Sequence, residues 1–557
     1  MYLRTTSRKN RDGSTIKYYQ LAHNERHPKT RKPVAKIIHS FGRADTIDRE
    51  QLVRLCNSIA RVCGVQVIGC KNDADNKNQP EGLPKDLKLI GTRTLGTVWL
   101  IEALWEKLGI GKILREVCKK RKIATPYERA LLAMTANRLC QPESKLGVWD
   151  RWLEKVYLPS CDGLKLEQMY EAMDLLYDHS AEIEKKLFFH IANLMNLTVD
   201  LIFYDTTTAS FFTDLYGEND GDIRKYGRCK EGGWGPQVVV ALAVTYDGLP
   251  VRCWVFPGNT SDVDTIETVR KDLRGWNLGR ALFVADAGMN SAKNRDELAK
   301  ACGKYILACR MSNVSEIKKN VLSKPGRYTF VKDNLHAKEV IVGDGERRRR
   351  YILCYNAKEA RRQKKHRNQI VAALEIELQR HSDKTATAKW AIELLASKRF
   401  KRYLTVTKSK KVRIDRKKIR EAAKYDGKWV LQTNDDTIDM KDAANGYRSL
   451  MIIERCFRSM KRTQIKMMPM FHWAPRRIEA HIRICVLSLL IQRVAENACE
   501  TTWADISNTM EKLQASEYFS INHRFFQRNV MPSGVSDMLK NLKISAPNTI
   551  LGIKNLR

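Results

Sequence analysis

Acid is what this chain is short of: 63 Asp and Glu stand against 99 Lys and Arg in 557 residues, a formal net charge of +36. A field of that sign works against a compact chain by self-repulsion and calls for a polyanionic partner. For a large chain that partner is nucleic acid, held first through its phosphates. The basic residues run along the whole length rather than crowding one amphipathic helix, which disfavours a membrane surface. Any apolar run of bilayer length is missing too; "VVVALAV" and "ICVLSLL" are core-sized. The N-terminus "MYLRTTSRKNRDG" has no apolar signal core. The fourteen cysteines include no C-x-x-C pair, and Cys56, Cys63 and Cys70 recur every seven residues, the spacing of one helix face. These absences together predict a reduced, cytoplasmic protein with no membrane partner. "LGIGK" lacks the spacing of an ATP-binding loop, which excludes an ATP-driven motor, and the eleven histidines form no H-E-x-x-H or Cys/His cluster. His472 and His481 read as shaping a turn between helices.

What is present divides by texture. Apolar residues make up 43%, enough for globular cores. Residues 1–90 read as a basic N-terminal DNA-binding region with short strand-like runs, "STIKYYQLAH" and "PVAKIIHSFG". An amphipathic helix follows through Leu52, Cys56, Ile59 and Cys63, and a polar linker spans about 70–86. Residues 91–198 carry helical periodicity in "TVWLIEALWEKLG", "TPYERALLAMTANRLC" and "LEQMYEAMDLLYD". At 199 the pattern changes to strand, hairpin across Asp247-Gly248, helix, strand, helix, strand, which predicts an α/β layer with a mixed sheet over 199–310. Residues 311–440 read as a β-rich basic insertion, 441–500 as a second part of the core built on two helices, and 501–557 as a C-terminal tail.

Two core strands end in an aspartate: "LIFYD" at Asp205 and "ALFVAD" at Asp286. Ligands of open α/β sheets gather beyond the carboxyl ends of strands, and neighbouring strands lie about 4.8 Å apart, so the two carboxylates can share a divalent ion if their strands are neighbours. The plainer reading of each alone is a loop-starting or capping residue; the pair in one sheet shifts the balance toward a shared ion. Glu454 in "IERCFRSMK" adds a third acid on a helix otherwise basic at Arg455, Arg458 and Lys461. Glu454 and Lys461, seven residues apart, share a helix face, with Arg458 between them. The plainer reading of Glu454 is an i,i+4 surface pair with Arg458. Three carboxylates suit a pair of Mg²⁺ ions acting on a phosphodiester.

"YDTTT", "ADAGMN", "YDGKWVLQTN" and "YRSLMIIERCFRSMKRTQIKMMPMFHW", in this order, resemble a bacterial insertion-sequence transposase of the DDE class. The nearest resemblance is to the insertion-sequence-four superfamily, in the group with a β-rich insertion before the final Glu. The resemblance implies a ribonuclease-H-like mixed-sheet core interrupted by that insertion, preceded by the basic region and the helical domain. It makes Asp205, Asp286 and Glu454 the catalytic, metal-binding triad, with Mg²⁺ as cofactor and Mn²⁺ as a substitute. The family signature around the Glu is Tyr-x₂-Arg-x₃-Glu-x₆-Lys. Tyr447, Glu454 and Lys461 fill their positions, while Leu450 stands in the Arg position, leaving Arg448 or Arg458 to make that phosphate contact.

The resemblance further implies binding of double-stranded DNA, both terminal inverted repeats and target, by a homodimer, in a bacterial nucleoid-associated setting. Trp429 reads as a core tryptophan. Relatives that form DNA hairpins use an aromatic in such an insertion, which makes Trp429 a candidate for base stacking. The expected activity is cleavage at the element ends and joining of the 3′-hydroxyl ends to target DNA. A noncatalytic DNA-binding regulator and a structure-selective nuclease remain as alternatives.

Overall fold

The computed structural model describes residues 2–10, 15–27, 33–44, 46, 56, 59, 87–196, 200–213, 221–274, 276, 281–301, 303–311, 314–380, 388–408, 411–519 and 523–555. The chain forms two units, Met1–Lys85 and Asp86–Arg557. In the first, β1 (Tyr2–Lys9), β2 (Thr15–Arg26) and β3 (Pro33–Arg43) make an antiparallel sheet in that order. Of the helix expected next, only Cys56 and Ile59 are described, both helical; the linker expected at 70–86 lies outside the described residues.

The second unit opens with β4 (Lys88–Thr94) and a helical layer: α1 (Gly96–Lys107), α2 (Ile110–Lys120), α3 (Tyr127–Cys140), α4 (Leu166–Asp178) and α5 (Ser180–Leu194). Their apolar faces, with Leu100, Leu104, Leu131 and Met173 fully buried, fill one side of the main core.

The sheet follows. Strands β5 (Leu201–Ser210), β6 (Lys225–Arg228), β7 (Trp234–Thr245), β8 (Pro250–Pro257), β9 (Leu282–Ala285) and β10 (Lys304–Cys309) are joined in part by α6 (Thr265–Arg274) and α7 (Ala292–Ala301). The expected hairpin joins β7 to β8, and Gly248 sits in its turn at φ 78°, a conformation a side chain would oppose. β5, β9 and β10 run parallel, whereas β7 is antiparallel to both β5 and β8. The spatial order β8-β7-β5-β9-β10 is the ribonuclease-H-like arrangement. Phe203 and Val284 face the helical layer, while Tyr204, Phe283 and Ala285 face the second cluster, which takes in Ile266 and Val269 of α6 and Leu298 of α7.

Residues 311–440, expected as a β-rich insertion, divide between the core sheet and a mostly helical body. Their longer strands, β11 (Thr329–Lys332), β12 (Leu335–Val342) and β13 (Arg349–Asn356), extend the core sheet, which reaches ten strands in the order β11-β12-β13-β16-β10-β9-β5-β7-β6 with β8 beside β7. What stands apart is mostly helical: α8 (Ala357–Arg380), α9 (Ala388–Ala396), the hairpin β14 (Leu404–Val406) and β15 (Val412–Ile414), and α10 (Arg416–Ala423). It packs around its own small core of Ile370, Leu374, Leu394, Tyr403 and Leu404. β16 (Lys428–Thr433) then returns between β13 and β10.

The first of the two expected helices is broken. α11 (Met440–Arg448) ends before α12 (Met451–Arg458), which continues into a π-helical turn, Ser459–Thr463; α13 (Pro475–Cys499) follows. The C-terminal stretch is folded rather than a tail. α14 (Trp503–Met510) and α15 (Val535–Asn541) flank a sheet in which β17 (Gln514–Phe519), β18 (His523–Arg528) and β19 (Ile550–Asn555) join β4 in the order β19-β18-β17-β4. Among the described residues no helix is long and apolar enough to cross a membrane.

Candidate active site

Parallel pairing aligns Tyr204 of β5 with Ala285 of β9. One residue on, Asp205 and Asp286 stand side by side, and strand alternation points both toward the face shared by Phe203 and Val284. Asp286 directly follows its strand as expected, but Asp205 does not end one: β5 keeps pairing with β7 as far as Ser210. α12 packs over β5 on that face and brings Glu454. Glu454 is exposed and, among the described residues, has no hydrogen-bond or ion-pair partner, Arg458 included. The surface-pair reading of this acid therefore does not hold in the fold.

Tyr447 lies against Asp286. Its hydroxyl donates to Asp286 Oδ1 at 3.2 Å. Burial pushes its phenol well above the ordinary value, and the negative charges of Asp286, Glu454 and Asp205 add to that push. Asp205 is pushed up to about 6, first by burial and also by Asp286 and Asp262, against the pull of Lys230 and the Thr206 N–H. Carboxylates that repel one another in a partly dry site are the donors a hard divalent ion neutralises. Among the described residues no three His, Cys, Asp or Glu side chains are gathered tightly enough to form a finished metal cage.

The other expected residues fall in different places. Lys461 lies on the π-helical turn and is buried; its ammonium donates to Thr207 Oγ1 at 3.3 Å, two residues along β5 from Asp205, and pairs with Glu231 at 3.0 Å. Leu450 is buried in the main core, so the Arg position of the signature is used for packing. Arg448 is taken up by Asp333 at 2.9 Å. Arg458 is exposed and, with Arg455 and Arg493, lines an open groove of about 520 Å³ between α12 and α13. Trp429 lies on β16 opposite Cys354, half-buried against the main core, and its indole N–H has no partner among the described residues.

Three neighbours of the site escaped sequence reasoning. Asp262, three residues before α6, accepts the Thr206 hydroxyl and pairs with Lys230 at 3.4 Å. Lys230 also reaches to 3.8 Å from Asp205 and donates to the Thr206 carbonyl at 2.7 Å. Glu231 accepts from Lys461 and Arg462. Lys230 and Glu231 sit in the glycine-rich turn "CKEGG" between β6 and β7, where nothing but composition marks them. Beside that turn, Tyr226 and Trp234 stack with centroids 6.2 Å apart at 17°, and Trp234 is 66% exposed. They wall an open groove of about 540 Å³ with Arg228, Lys230 and Asp262.

Residues 200–489 match the family described as Transposase DDE domain, a span that contains all three acids, Tyr447 and Lys461. Residues 3–68 match the IS1634 family transposase N-terminal domain. No curated protein shows a significant match to the chain. The match covers more than half of the chain and coincides with the sheet and helices that carry the acids, so the chain belongs to the insertion-sequence DDE transposases.

Proposed function

We propose that this transposase cuts DNA at the ends of its element and joins the freed 3′-hydroxyl ends to target DNA. What supports this reading most is the register that aligns β5 with β9 just before Asp205 and Asp286, with the Tyr447 hydroxyl donating to Asp286 and the helix that carries Glu454 packed over β5. Asp205 and Asp286 are the residues that would hold Mg²⁺, and Glu454, held by no partner, would complete the set. All are hard oxygen donors, the choice of Mg²⁺ or Mn²⁺ over softer metals. Bound there, such ions would polarise the scissile phosphate and stabilise both the attacking and the leaving oxygen.

The chain's own side chains do the rest. Tyr447 fixes the orientation of Asp286 through its hydroxyl. Lys461 and Arg462 offer positive charge to a phosphate beside β5. Tyr226 and Trp234 offer an exposed stacking surface beside a basic groove, a combination suited to an unpaired base. Trp429 is half-buried against the core and is the weaker candidate for that role, a ranking that hairpin formation by Trp234→Ala and Trp429→Ala would check. DNA ends are read mainly by residues 1 to about 200 in this proposal, and synapsis of two ends requires two copies of the chain.

Asp286→Asn is expected to abolish cleavage of end-containing DNA in Mg²⁺ while binding to the same DNA persists. Cleavage retained at the wild-type rate would refute the assignment. Wild-type products that are cut but never joined would identify a nuclease instead.

A further inference from the structure

The turn between β6 and β7 places two opposite charges against the site's own two opposite charges. Lys230 Nζ lies 3.8 Å from Asp205 and 3.4 Å from Asp262, and it donates to the Thr206 hydroxyl at 2.6 Å. The next residue, Glu231, meets Lys461 at 3.0 Å and Arg462 at 3.1 Å. Lys461 is almost wholly buried and faces β5, so Glu231 takes the side from which an outside anion would approach. The turn itself is closed by the Cys229 N–H donating to the Gly233 carbonyl, with Gly232 and Gly233 both at positive φ and with open space where a Cβ would stand. The two glycines give the backbone of the turn conformational freedom, while the Lys230 N–H donates to Thr208 Oγ1 at 3.0 Å.

We infer that the Lys230–Glu231 turn is a built-in stand-in for the substrate. Its ammonium occupies the place of the divalent cation at Asp205, and its carboxylate occupies the place of a DNA phosphate at Lys461 and Arg462. This rests on the assignment of Asp205 and Lys461 proposed above. The turn keeps like charges from repelling one another before DNA and metal arrive, and it swings away when they do. Asp262 retains the displaced ammonium, which explains a carboxylate beside the site that the triad does not require.

Two binding measurements test this without catalysis. The first is affinity for end-containing duplex DNA in EDTA. Glu231→Gln removes the competing carboxylate and is expected to bind about fivefold more tightly than wild type, the scale of one partly exposed ion pair. Glu267→Gln is the control, because Glu267 also pairs with two lysines, Lys271 of α6 and Lys293 of α7, on helices packed against the opposite face of the sheet. Its gain should be smaller, and the Glu231→Gln gain should shrink in a Lys461→Met background. The second is Mn²⁺ affinity of the DNA-free full chain by electron paramagnetic resonance, where Lys230→Gln is expected to bind about fivefold more tightly.

Glu231→Gln no tighter than Glu267→Gln overturns the inference, as does Lys230→Gln with unchanged or weaker Mn²⁺ binding. Wild-type protein that binds neither end DNA nor Mn²⁺ would instead sink the functional proposal beneath it.

Discussion

Tyr447 shows how one side chain outside the triad can hold a member of it. Removing its hydroxyl leaves the ring in place and deprives Asp286 of a donated hydrogen bond. Hydrogen bonds to charged groups contribute about 1.5–3 kcal/mol, so Tyr447→Phe is expected to slow single-turnover cleavage by roughly ten- to a hundredfold with DNA affinity unchanged. Equal losses in rate and in DNA affinity would mean that Tyr447 acts on binding instead. A second residue-scale prediction concerns Lys145, which is buried with its ammonium 3.1 Å from His481 Nδ1. His481 Nε2 in turn lies 3.0 Å from the Met467 carbonyl, tying α13 to the loop that precedes it, the turn-shaping role its sequence position suggests. Burial pushes Lys145 down to about 7, with Arg138 adding to the shift. Between pH 7 and the ordinary lysine range the unfolded chain binds the extra proton, so this site's contribution to stability rises with pH across that window and is flat below it. The difference in unfolding free energy between Lys145→Met and wild type should therefore move in favour of wild type from pH 7 to pH 10, by no more than about 1.4 kcal/mol per unit. A difference constant across that range would contradict the shift. Asp205, Asp286, Glu454, Tyr447 and Lys461 could all be picked out from the chain because each follows an apolar strand-like run or fits a spaced signature, even though Asp205 proves to lie midway along its strand. Lys230, Glu231 and Asp262 could not, because their meaning comes from partners brought in by folding.

At the scale of elements, legibility followed periodicity. Helices such as Leu166–Asp178 and strands such as Lys304–Cys309 match the sequence runs that predicted them, because each buries a regular apolar face. α8 did not show itself. "EARRQKKHR" opens it, and its buried positions Arg367, Ile370 and Leu374 are too few, one of them charged, to stand out against the basic run. Arg367 is held inside by Asp426, fifty-nine residues on, a pairing invisible in the chain. The small core around Leu374 is separate from the main one, so damage to it should stay local. Leu374→Ala is expected to cost about 2–5 kcal/mol there. Limited proteolysis should then cut within 357–426 much faster than in wild type, while cleavage within 200–310 stays slow. Equal sensitivity in both regions would show that the two cores unfold together.

For the whole molecule, the question is where the +36 acts. Residues 357–426 contain 22 Lys and Arg against 8 Asp and Glu, a net +14 on about an eighth of the chain. They leave and re-enter the sheet through a closed neck: β13 and β16 are antiparallel neighbours with Tyr355 opposite Lys428, and the Asn356 N–H donates to the Gly427 carbonyl at 2.8 Å. The body is thus an elaborated hairpin loop, and a two-residue Asn-Gly turn in place of 357–426 would restore an ordinary one. The shortened protein should keep its sheet, and with it the alignment of Asp205 with Asp286. Its affinity for DNA should fall and, more tellingly, so should the salt dependence of that affinity. Each phosphate neutralised contributes about 0.9 to the slope of log affinity against log salt, so losing about five contacts flattens the slope by about 4.5 units. Weaker binding with the original slope would place the body's cations away from the phosphates, their charge serving solubility alone; a flattened slope would make this loop the main electrostatic hold on DNA.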